Sequence, residues 1–572
     1  MKIQKANKLL QKTYNGKFSA EEKDGCIIVS GESDNWEEII GACSICAEKN
    51  SKTHVVNNIK FTGGEIPKIR LPEESDNSLD GSEPDVLVIG GGISGASILR
   101  ELSKWDIDAW LIEKESDLAM GASGRNDGEV HPGVDLGKGS LKQHYVLLGN
   151  RMYDKVCKEL DVPFERFGQY VGFDRAWLKP LIKLFAWQRR KIGVTDTRVL
   201  SGEELKKAEP NLNENFKVVL YNPSAGCVCP YGLTIAYAEN AVQNGAKVFL
   251  NTAVLSMETE NGEIKAVHTN RGTIRPKLVI NAAGVFADDI AEMANDKFFS
   301  IHPRRGTNSI TDKKAGRLIA CIASVKSLKK SKTHSKGGGT MRTVHGNLLV
   351  GPDAVETYEK ENFATNPESI KVVFDKQKNT LPKLSERDII TYFTGVRAPT
   401  FEEDFIIEKG RKTKNIIHCA GIQSPGLTTA PAVALDIEKM AIDFLKQTKD
   451  IKRNENFDPI RKGIPVLNEM SDEERNAYIG ENSDYGVIIC RCEEISKGEI
   501  LDALNRNISV PTLDGIKRRV RPGMGRCQGG FCSPLVSKII AEYKSCEISD
   551  VVKSTSKSTV TYGEVKAGGK DA

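Results

Sequence analysis

No stretch of the chain approaches the roughly 20 apolar residues that a membrane-crossing helix requires, and the opening MKIQKANKLLQKTYNGKF lacks the apolar core of a secretory signal. The expectation is a cytoplasmic protein without an integral membrane segment. There is no charge excess of either sign: 81 Lys+Arg stand against 77 Asp+Glu, a formal +4 over 572 residues. Charge therefore gives no global reason to expect a nucleic-acid or membrane-surface partner. No internal repeat is present, and hydrophobic content of 39%, charged content of 28% and a mean hydropathy of −0.36 exclude disordered and fibrous classes. Thirteen cysteines, an odd number without a secretory signal, argue against a disulfide framework. What remains is a soluble globular chain long enough for three or four domains.

Residues 25–61 read as strand, helix, strand: GCIIVSG, NWEEIIGACSICAEKN and HVVNNIKF, with Ile39, Ile40, Cys43 and Cys46 on one helical face. The unit, taken as 1–65, resembles the BON-type module, which implies docking to a partner or a second protomer. Cys43 and Cys46 have C-x-x-C spacing but sit on the apolar face with no second Cys or His pair nearby, so they read as buried structural thiols. Residues 66–84, IPKIRLPEESDNSLDGSEP, have the composition of a flexible linker. From 85 to 448 apolar strands alternate with helical patterns, the signature of an α/β domain. A charged connector (449–483), a compact cysteine-bearing unit (484–547) and a frayed polar tail (548–572) follow.

DVLVIGGGISGASILRELSKW is an apolar strand, a glycine turn and an amphipathic helix, with Gly90, Gly92 and Gly95 in the G-x-G-x-x-G positions. The first permits a tight turn, the second lets backbone approach a pyrophosphate at the helix N-terminus, and the third lets helix and strand pack closely. Glu113 ends the next strand, AWLIEK, 18 residues after Gly95, where a carboxylate accepts hydrogen bonds from a ribose diol. Strand, glycines, helix and acid together indicate a dinucleotide.

Three further segments, GASGRNDGEVHPG (121–133), LVINAAGVFADDIAEMA (278–294) and IIHCAGIQSPGLTTAPAVA (416–434), resemble the flavoprotein superfamily of D-amino-acid-oxidase type. Within it, 85–445 look like the glycerol-3-phosphate dehydrogenase and L-2-hydroxyglutarate dehydrogenase branch, supported by AEPNL (208–212), THSKGGGTMRTVHGNLLVGPDA (333–354) and FTGVRAPTFEEDFIIE (393–408). The resemblance implies FAD, contacted by Gly90, Gly92, Ile93, Ser94, Gly95, Glu113, Lys114, Ser123, Asn126, Val254, Ala283, Gly284, Gly421, Gly426 and Leu427. It also implies a Rossmann-like FAD domain interleaved with an antiparallel-sheet substrate domain, an α/β fold with α+β character in the substrate part.

Near the C-terminus Cys490-Arg-Cys492 precedes, after 34 residues, Cys527-Gln-Gly-Gly-Phe-Cys532. Four thiolates in two close pairs suit either an iron–sulfur cluster or structural zinc. IICRCEEISKGEI and RRVRPGMGRCQGGFC resemble the ferredoxin domain of bacterioferritin-associated ferredoxin and of the anaerobic glycerol-3-phosphate dehydrogenase large subunit, which implies an α-rich domain binding a 2Fe-2S cluster. Gly523, Gly525, Gly529 and Gly530 let amides crowd the cluster sulfurs, and Arg518, Arg519, Arg521 and Arg526 either offset its charge or are ordinary exposed cations.

A two-electron flavin and a one-electron cluster on one chain indicate a dehydrogenase with an electron exit rather than an oxidase. By resemblance, Arg397 in GVRAP binds the substrate's phosphate or carboxylate and His131 polarises or deprotonates its hydroxyl. His345 is a further catalytic candidate, Arg342 a substrate-binding one, and Lys142 and Arg305 are weaker sources of positive charge. The departures bear on the substrate. Asp135 stands where glycerol-3-phosphate enzymes commonly carry an arginine and fits a cationic amine better than a phosphate. RRGTNSIT (304–311) has lost the usual Arg-Gly-Glu-Tyr-like run, and Cys229 replaces a common aspartate. The expected substrate is sn-glycerol 3-phosphate, with a 2-hydroxy acid or a secondary amine or amino acid as alternatives, and an electron shuttle without its own substrate as the reading of another class. The expected acceptor is a second flavoprotein or an iron–sulfur/quinone-linked subunit in a multi-subunit assembly, which would place the protein peripherally at the inner membrane.

Overall fold

Val86–Ile89 is a four-residue apolar strand buried on both faces, which requires a central place in a covered parallel sheet. In the computed structural model, which describes residues 3–325 and 338–562, it has that place. The six-stranded sheet runs Lys247–Phe249, Ala109–Ile112, Val86–Ile89, Leu278–Asn281, Ile416–Ala420, Ile406–Lys409; its first five strands are parallel and the last is antiparallel. Helix Ile93–Leu102 packs with Pro230–Gln243 and Gly426–Leu445 on one side. Leu87, Ile89, Trp110, Ile112 and Val279 turn to the other side and pack on Val254, Ile264 and Val267 of a three-stranded antiparallel sheet.

The second large sheet has nine strands and is antiparallel except where Ile322–Val325 pairs with Gln169–Phe173. Arg304–Thr311 pairs along its length with Ile389–Arg397. The chain crosses between the two sheets repeatedly, so the FAD and substrate parts are interleaved, as the resemblance implied. Together with the amino-terminal residues they form one compact unit ending at Pro459; a second begins at Ile460.

The amino-terminal strand, helix and strand form as read, Cys26–Ser33 lying parallel to Val55–Phe61 around helix Trp36–Cys46. A helix, Ile3–Tyr14, and a strand, Phe18–Lys23, precede them. Ile39, Ile40, Cys43 and Cys46 are buried, and burial pushes the Cys43 thiol well above its ordinary value. The module packs on the oxidoreductase domain rather than hanging from a free tether. Phe401 enters its core, Val56 and Cys26 join Ala287, Phe298 and Ala420, and the buried Glu402 accepts from the Val55 amide at 2.8 Å while facing His54 Nδ1 at 3.2 Å. Segment 66–84 lacks strands and helices, yet Arg70 reaches Glu115 at 2.6 Å and Leu79 is buried, its amide bonded to Arg271 O. Glu402→Ala strands a buried amide and is expected to cost about 1–3 kcal/mol, measured as a lower melting temperature with earlier proteolysis at 66–84.

The connector divides between the units. Asn454 and Asp458 bond to Lys104 and Asn244 in the first unit, whereas Leu467 is buried in the second and Ser471 and Glu474 cap helix Asp472–Glu481 reciprocally. The second unit packs Ile495, Ile500, Leu504, Ile516, Val520 and Val536 around Cys490 and Cys532. The tail is ordered where its main chain finds partners: Val551 is buried, and Val552 O and Lys553 O accept from the Leu513 and Asp514 amides. The expectation of fraying therefore does not hold for 548–562; residues 563–572 of that tail lie outside the described residues.

Candidate active site and cluster site

The glycine turn, Glu113, Ala283 and Gly421 follow the carboxyl ends of four adjacent parallel strands, the edge where doubly wound sheets bind ligands. Gly90 has φ +112°, and a Cβ there would stand 2.5 Å from Ala282 O; a Cβ on Gly95 would stand 1.9 Å from Gly90 O. These contacts fix both as glycine and seat helix Ile93–Leu102 against its strand. Gly92 caps that helix, and Ser123 Oγ accepts from the Ile93 amide at 2.8 Å. Ser94 donates to the Cys419 thiol of the neighbouring strand. Glu113 accepts from the Gly91 and Glu115 amides at 2.6 and 2.9 Å; burial pushes its carboxyl up against these donors.

The other FAD candidates divide by what their side chains do. Asn126 ties its own loop, accepting from Gly128 N at 2.8 Å and donating to Ser123 O at 2.8 Å. Lys114 is committed to Glu115 and Glu361, each at 2.6 Å, so its ammonium is already neutralised. Val254 is buried beneath the hairpin sheet, Ala283 and Gly284 form the turn beside Gly90, and Gly426 and Leu427 open the helix after Gly421. A Cβ-free turn, a helix N-terminus and a carboxylate at its mouth fit a dinucleotide.

His131 follows strand Glu129–Val130, whose period of two sets Glu129 and His131 on one side. Glu129 Oε1 lies 3.2 Å from Nδ1, and Nε2 faces Ser424 Oγ at 3.3 Å. The His131 amide donates to Thr428 Oγ1 at 2.9 Å and its carbonyl accepts from Asn150, which clamps the residue between two helices. Burial opposes the imidazolium, but Glu129, with Asp127 and Asp135, prevails and holds the ring up to about 9. His131 is thus a cation at neutral pH.

Arg397 ends its strand on the face it shares with Arg304, Gly306 and Gly395. A Cβ on Gly306 would stand 2.1 Å from Arg397 Nη2, and one on Gly395 would stand 2.6 Å from Arg125 O. The missing Cβ at Gly306 leaves room for the guanidinium, and that at Gly395 lets Arg125 of the 121–128 loop approach the strand. Its bond is to Asp353 O, at 2.9 Å, and among the described residues no carboxylate forms an ion pair with it. Burial accordingly lowers its pKa, opposed by Asp127. Asp127 acts on both Arg397 and His131, which sets the two cations around one region. Arg304 differs, being paired with Glu356 at 2.6 Å and Glu403 at 2.7 Å. Glu403 is held down to about 2 in spite of burial by Arg304 and Lys142, whose ammonium lies 3.9 Å away, and it accepts from Gln423 at 2.8 Å.

Arg342 and Arg305 are not brought to this region. Arg342 shares a strand face with its partner Leu348, in the core that contains Cys321 and Ala323, and its charge acts on Glu209; Met341, facing the other way, packs on Cys227. Arg305 lies one residue out of phase with Arg397 and donates to Ala364 O. His345 occupies the turn Thr343–Gly346, whose Val344 amide donates to the Cys227 thiol; Cys227 is the cross-strand partner of Glu129. Asp135 is exposed and acts on His131 rather than occupying an anion seat. Cys229 is the N-cap of helix Pro230–Gln243, a position where aspartate caps well, without a side-chain cap bond. Asp127, Glu129, Asp353 and Ser424 were missed by sequence reading, although the Glu-x-His alternation at 129–131 was visible there.

In the second unit Cys490 ends strand Ile488–Cys490, and Cys532 precedes helix Ser533–Lys544. Their thiols are free and hydrogen-bond to each other, while Cys492 Sγ and Cys527 Sγ stand 3.6 Å apart, close to the ~3.8 Å between two sulfurs on a tetrahedral centre with ~2.3 Å bonds. Amides of Gly523, Glu493 and Cys492 point at the Cys490 sulfur and, with Cys532, bring its thiol down to about 6. Amides of Phe531, Gly529 and Gly530 point at Cys527. Among the described residues no three His, Cys, Asp or Glu side chains are set around a single metal ion. Two sulfur pairs ringed by amides suit a two-iron cluster. Arg518, Arg519 and Arg521 bond to Asp514 O, Ile508 O and Glu493, leaving Arg526 as the exposed member of that group.

Comparison with known proteins agrees with both sites. Residues 85–440 match the FAD dependent oxidoreductase family and 488–542 the BFD-like 2Fe-2S binding domain. A glycerol 3-phosphate dehydrogenase of Caloramator mitchellensis is 40% identical, over 84% of this chain and 99% of its own length. Subunit A1 of the anaerobic glycerol-3-phosphate dehydrogenase of Haloferax volcanii is 25% identical, over 80% of this chain and 83% of its own. The FAD-bound, dithionite-reduced L-α-glycerophosphate oxidase of Mycoplasma pneumoniae superposes with a TM-score of 0.61 at 25% identity, covering 66% of this chain and 98% of that one. The chain belongs to the FAD dependent oxidoreductase family and is an FAD-dependent dehydrogenase with a 2Fe-2S domain at its carboxyl end.

Proposed function

We propose that the chain oxidises sn-glycerol 3-phosphate to the corresponding ketone and passes the electrons to a partner. The observation that carries this reading is Arg397, a half-buried guanidinium on the site face that forms no ion pair with any described carboxylate. A cation partly removed from water, with the carboxylates of Asp127, Asp353 and Glu356 acting on it only from beyond contact, favours an anion that can neutralise it, and a guanidinium fork suits a phosphate. When bound, FAD supplies the hydride acceptor and the 2Fe-2S centre a one-electron store.

The chain's own residues supply binding and proton handling. Arg397 holds the phosphate, and Nε2 of His131 faces the substrate hydroxyl while Glu129 fixes the ring from Nδ1. Because His131 is protonated at neutral pH, it donates a hydrogen bond to the substrate oxygen there and accepts the hydroxyl proton only once it has lost its own. Anaerobic titration with glycerol 3-phosphate, followed by bleaching of the oxidised-flavin band, tests the reading. No bleaching by this substrate overturns it. Asp127, Glu129 and Asp135 around His131 favour one competitor, a secondary amine bearing a carboxylate for Arg397; sarcosine and 2-hydroxyglutarate belong in the same titration.

Electron exit through the cluster is supported by the paired cysteines and by the similarity to a protein named as a subunit of an anaerobic dehydrogenase; a flavoprotein or quinone-linked subunit is the acceptor we propose. Cys527→Ser is expected to lower the reductive end point by one electron per chain while substrate still bleaches the flavin. An unchanged end point would place the one-electron centre elsewhere.

A further inference from the structure

Helix Lys179–Lys191, KPLIKLFAWQRRK, is basic throughout: five of its 13 residues are Lys or Arg and none is Asp or Glu. Its inner side is accounted for. Leu178, Ile182, Phe185 and Ala186 pack with Val134, Val171, Phe173, Val218 and Leu220, and Arg189 stacks on Phe185 while donating to Leu136 O at 2.7 Å. Its outer side is apolar where a surface helix is ordinarily polar. Trp177, Leu181, Leu184 and Trp187 are 60, 55, 54 and 50% exposed, and helical spacing gathers them into one stripe. Exposed Lys179, Lys183, Arg190 and Lys191 flank the stripe, with Lys191 Nζ over the Trp187 ring at 5.7 Å. The acidic groups nearby include Asp174 before the helix, Asp135 between Val134 and Leu136, and Glu204, which faces Lys179.

We propose that this helix, with Trp177, is a docking element that lies in the interfacial plane of a bilayer rich in anionic lipid. Three observations select lipid. Tryptophan at both ends of a leucine stripe suits the headgroup boundary. The basic flanks, without an acid in the helix, complement anionic headgroups. At about 20 Å the helix is too short to cross a hydrocarbon core of about 30 Å, and no helix among the described residues is long and apolar enough to do so. The docked chain lies flat, with the segment just after His131, Val134 to Leu136, directly behind the helix. The redox site is thereby held at the membrane surface by the chain itself, independently of the substrate assigned above.

Flotation of the full-length protein with vesicles of phosphatidylcholine alone, and of phosphatidylcholine mixed with phosphatidylglycerol, tests this. The expected result is flotation with the mixed vesicles that weakens with salt. Each of Lys183→Gln and Lys191→Gln should reduce partition about 5-fold, and Leu184→Glu or Trp187→Glu 10-fold or more, with far-ultraviolet circular dichroism and flavin content unchanged. Absence of flotation with the anionic vesicles at low salt overturns the proposal, as does flotation indifferent to all four variants. So does light scattering that finds a lipid-free dimer dissolved by Leu184→Glu, which would assign the stripe to a second copy of the chain.

Discussion

Arg397→Met is expected to lower kcat/KM for glycerol 3-phosphate by about two to four orders of magnitude while leaving the melting temperature unchanged or slightly raised. The loss follows from removing one partner of a buried charge pair in the substrate complex, about 3–5 kcal/mol, at about 1.4 kcal/mol per factor of ten. The preserved stability follows from the free protein, where the guanidinium is desolvated and bonded to a main-chain carbonyl rather than to a carboxylate. An unbranched apolar side chain there strands no counter-charge. Glycerol, which lacks the phosphate, provides the internal control: its slow turnover should be similar in both proteins. Equal losses on the two substrates would mean that Arg397 supports the fold of the site rather than the anion. Gly306→Ala tests the same geometry from the opposite strand, since the new Cβ would stand 2.1 Å from Nη2 and must displace the guanidinium. The expected signature is a raised KM with flavin content retained.

Glu129→Gln is expected to move the rising limb of the pH profile of kcat/KM from near pH 9 toward the ordinary histidine value of about 6.5. In the wild type the ring is raised because three carboxylates outweigh its burial, with Glu129 in contact at 3.2 Å. The sign of the accompanying stability change is fixed. A raised folded-state value makes protonation of His131 stabilising; the contribution is complete below about pH 6.5 and is lost as the pH rises through about 9. The wild type should therefore lose melting temperature over that window, and Glu129→Gln should show a flatter curve. A limb that stays in place in Glu129→Gln would assign it to a group other than His131. His131→Gln should abolish the limb.

Local chemistry explains why much of the fold could be read beforehand. Gly90 and Gly95 are dictated by contacts within a single strand-turn-helix unit, and Glu113 by the next strand, so the residues that make the motif are close neighbours in sequence. The cysteines are legible as two short-spaced sets, 490/492 and 527/532, although the sulfurs that approach each other are Cys490 with Cys532 and Cys492 with Cys527. Substrate residues are different, because strand periodicity tells which neighbours share a face but not which face a distant element covers. Arg342 and Arg305 carry the right charge, yet each falls on the opposite face of its strand from the residues that line the site. Arg397 reaches the site because two glycines, Gly306 and Gly395, stand in register on strands more than 80 residues apart.

Composition misled in two places for one reason: it averages. The linker at 66–84 and the tail at 548–562 are polar, but their main-chain groups find partners in strands and helices far away, and that ordering is invisible in a window of local residues. The formal charge of +4 likewise conceals a helix with five cations and no acid. By itself the sequence determined the dinucleotide-binding glycine turn, the four cysteines and the α/β alternation, consequences of short-range geometry and the hydrophobic period, while FAD and the 2Fe-2S cluster were implied by resemblance. Only the tertiary structure decided that Arg397 is half-buried without a carboxylate in contact, that His131 is charged by Glu129 in spite of burial, and that the amino-terminal module packs on the oxidoreductase domain. Electrostatics and burial are set by what surrounds a group in space: Glu129 is two residues from His131 in the chain, but the burial it must outweigh, and the Asp353 carbonyl and Asp127 charge around Arg397, come from separate segments.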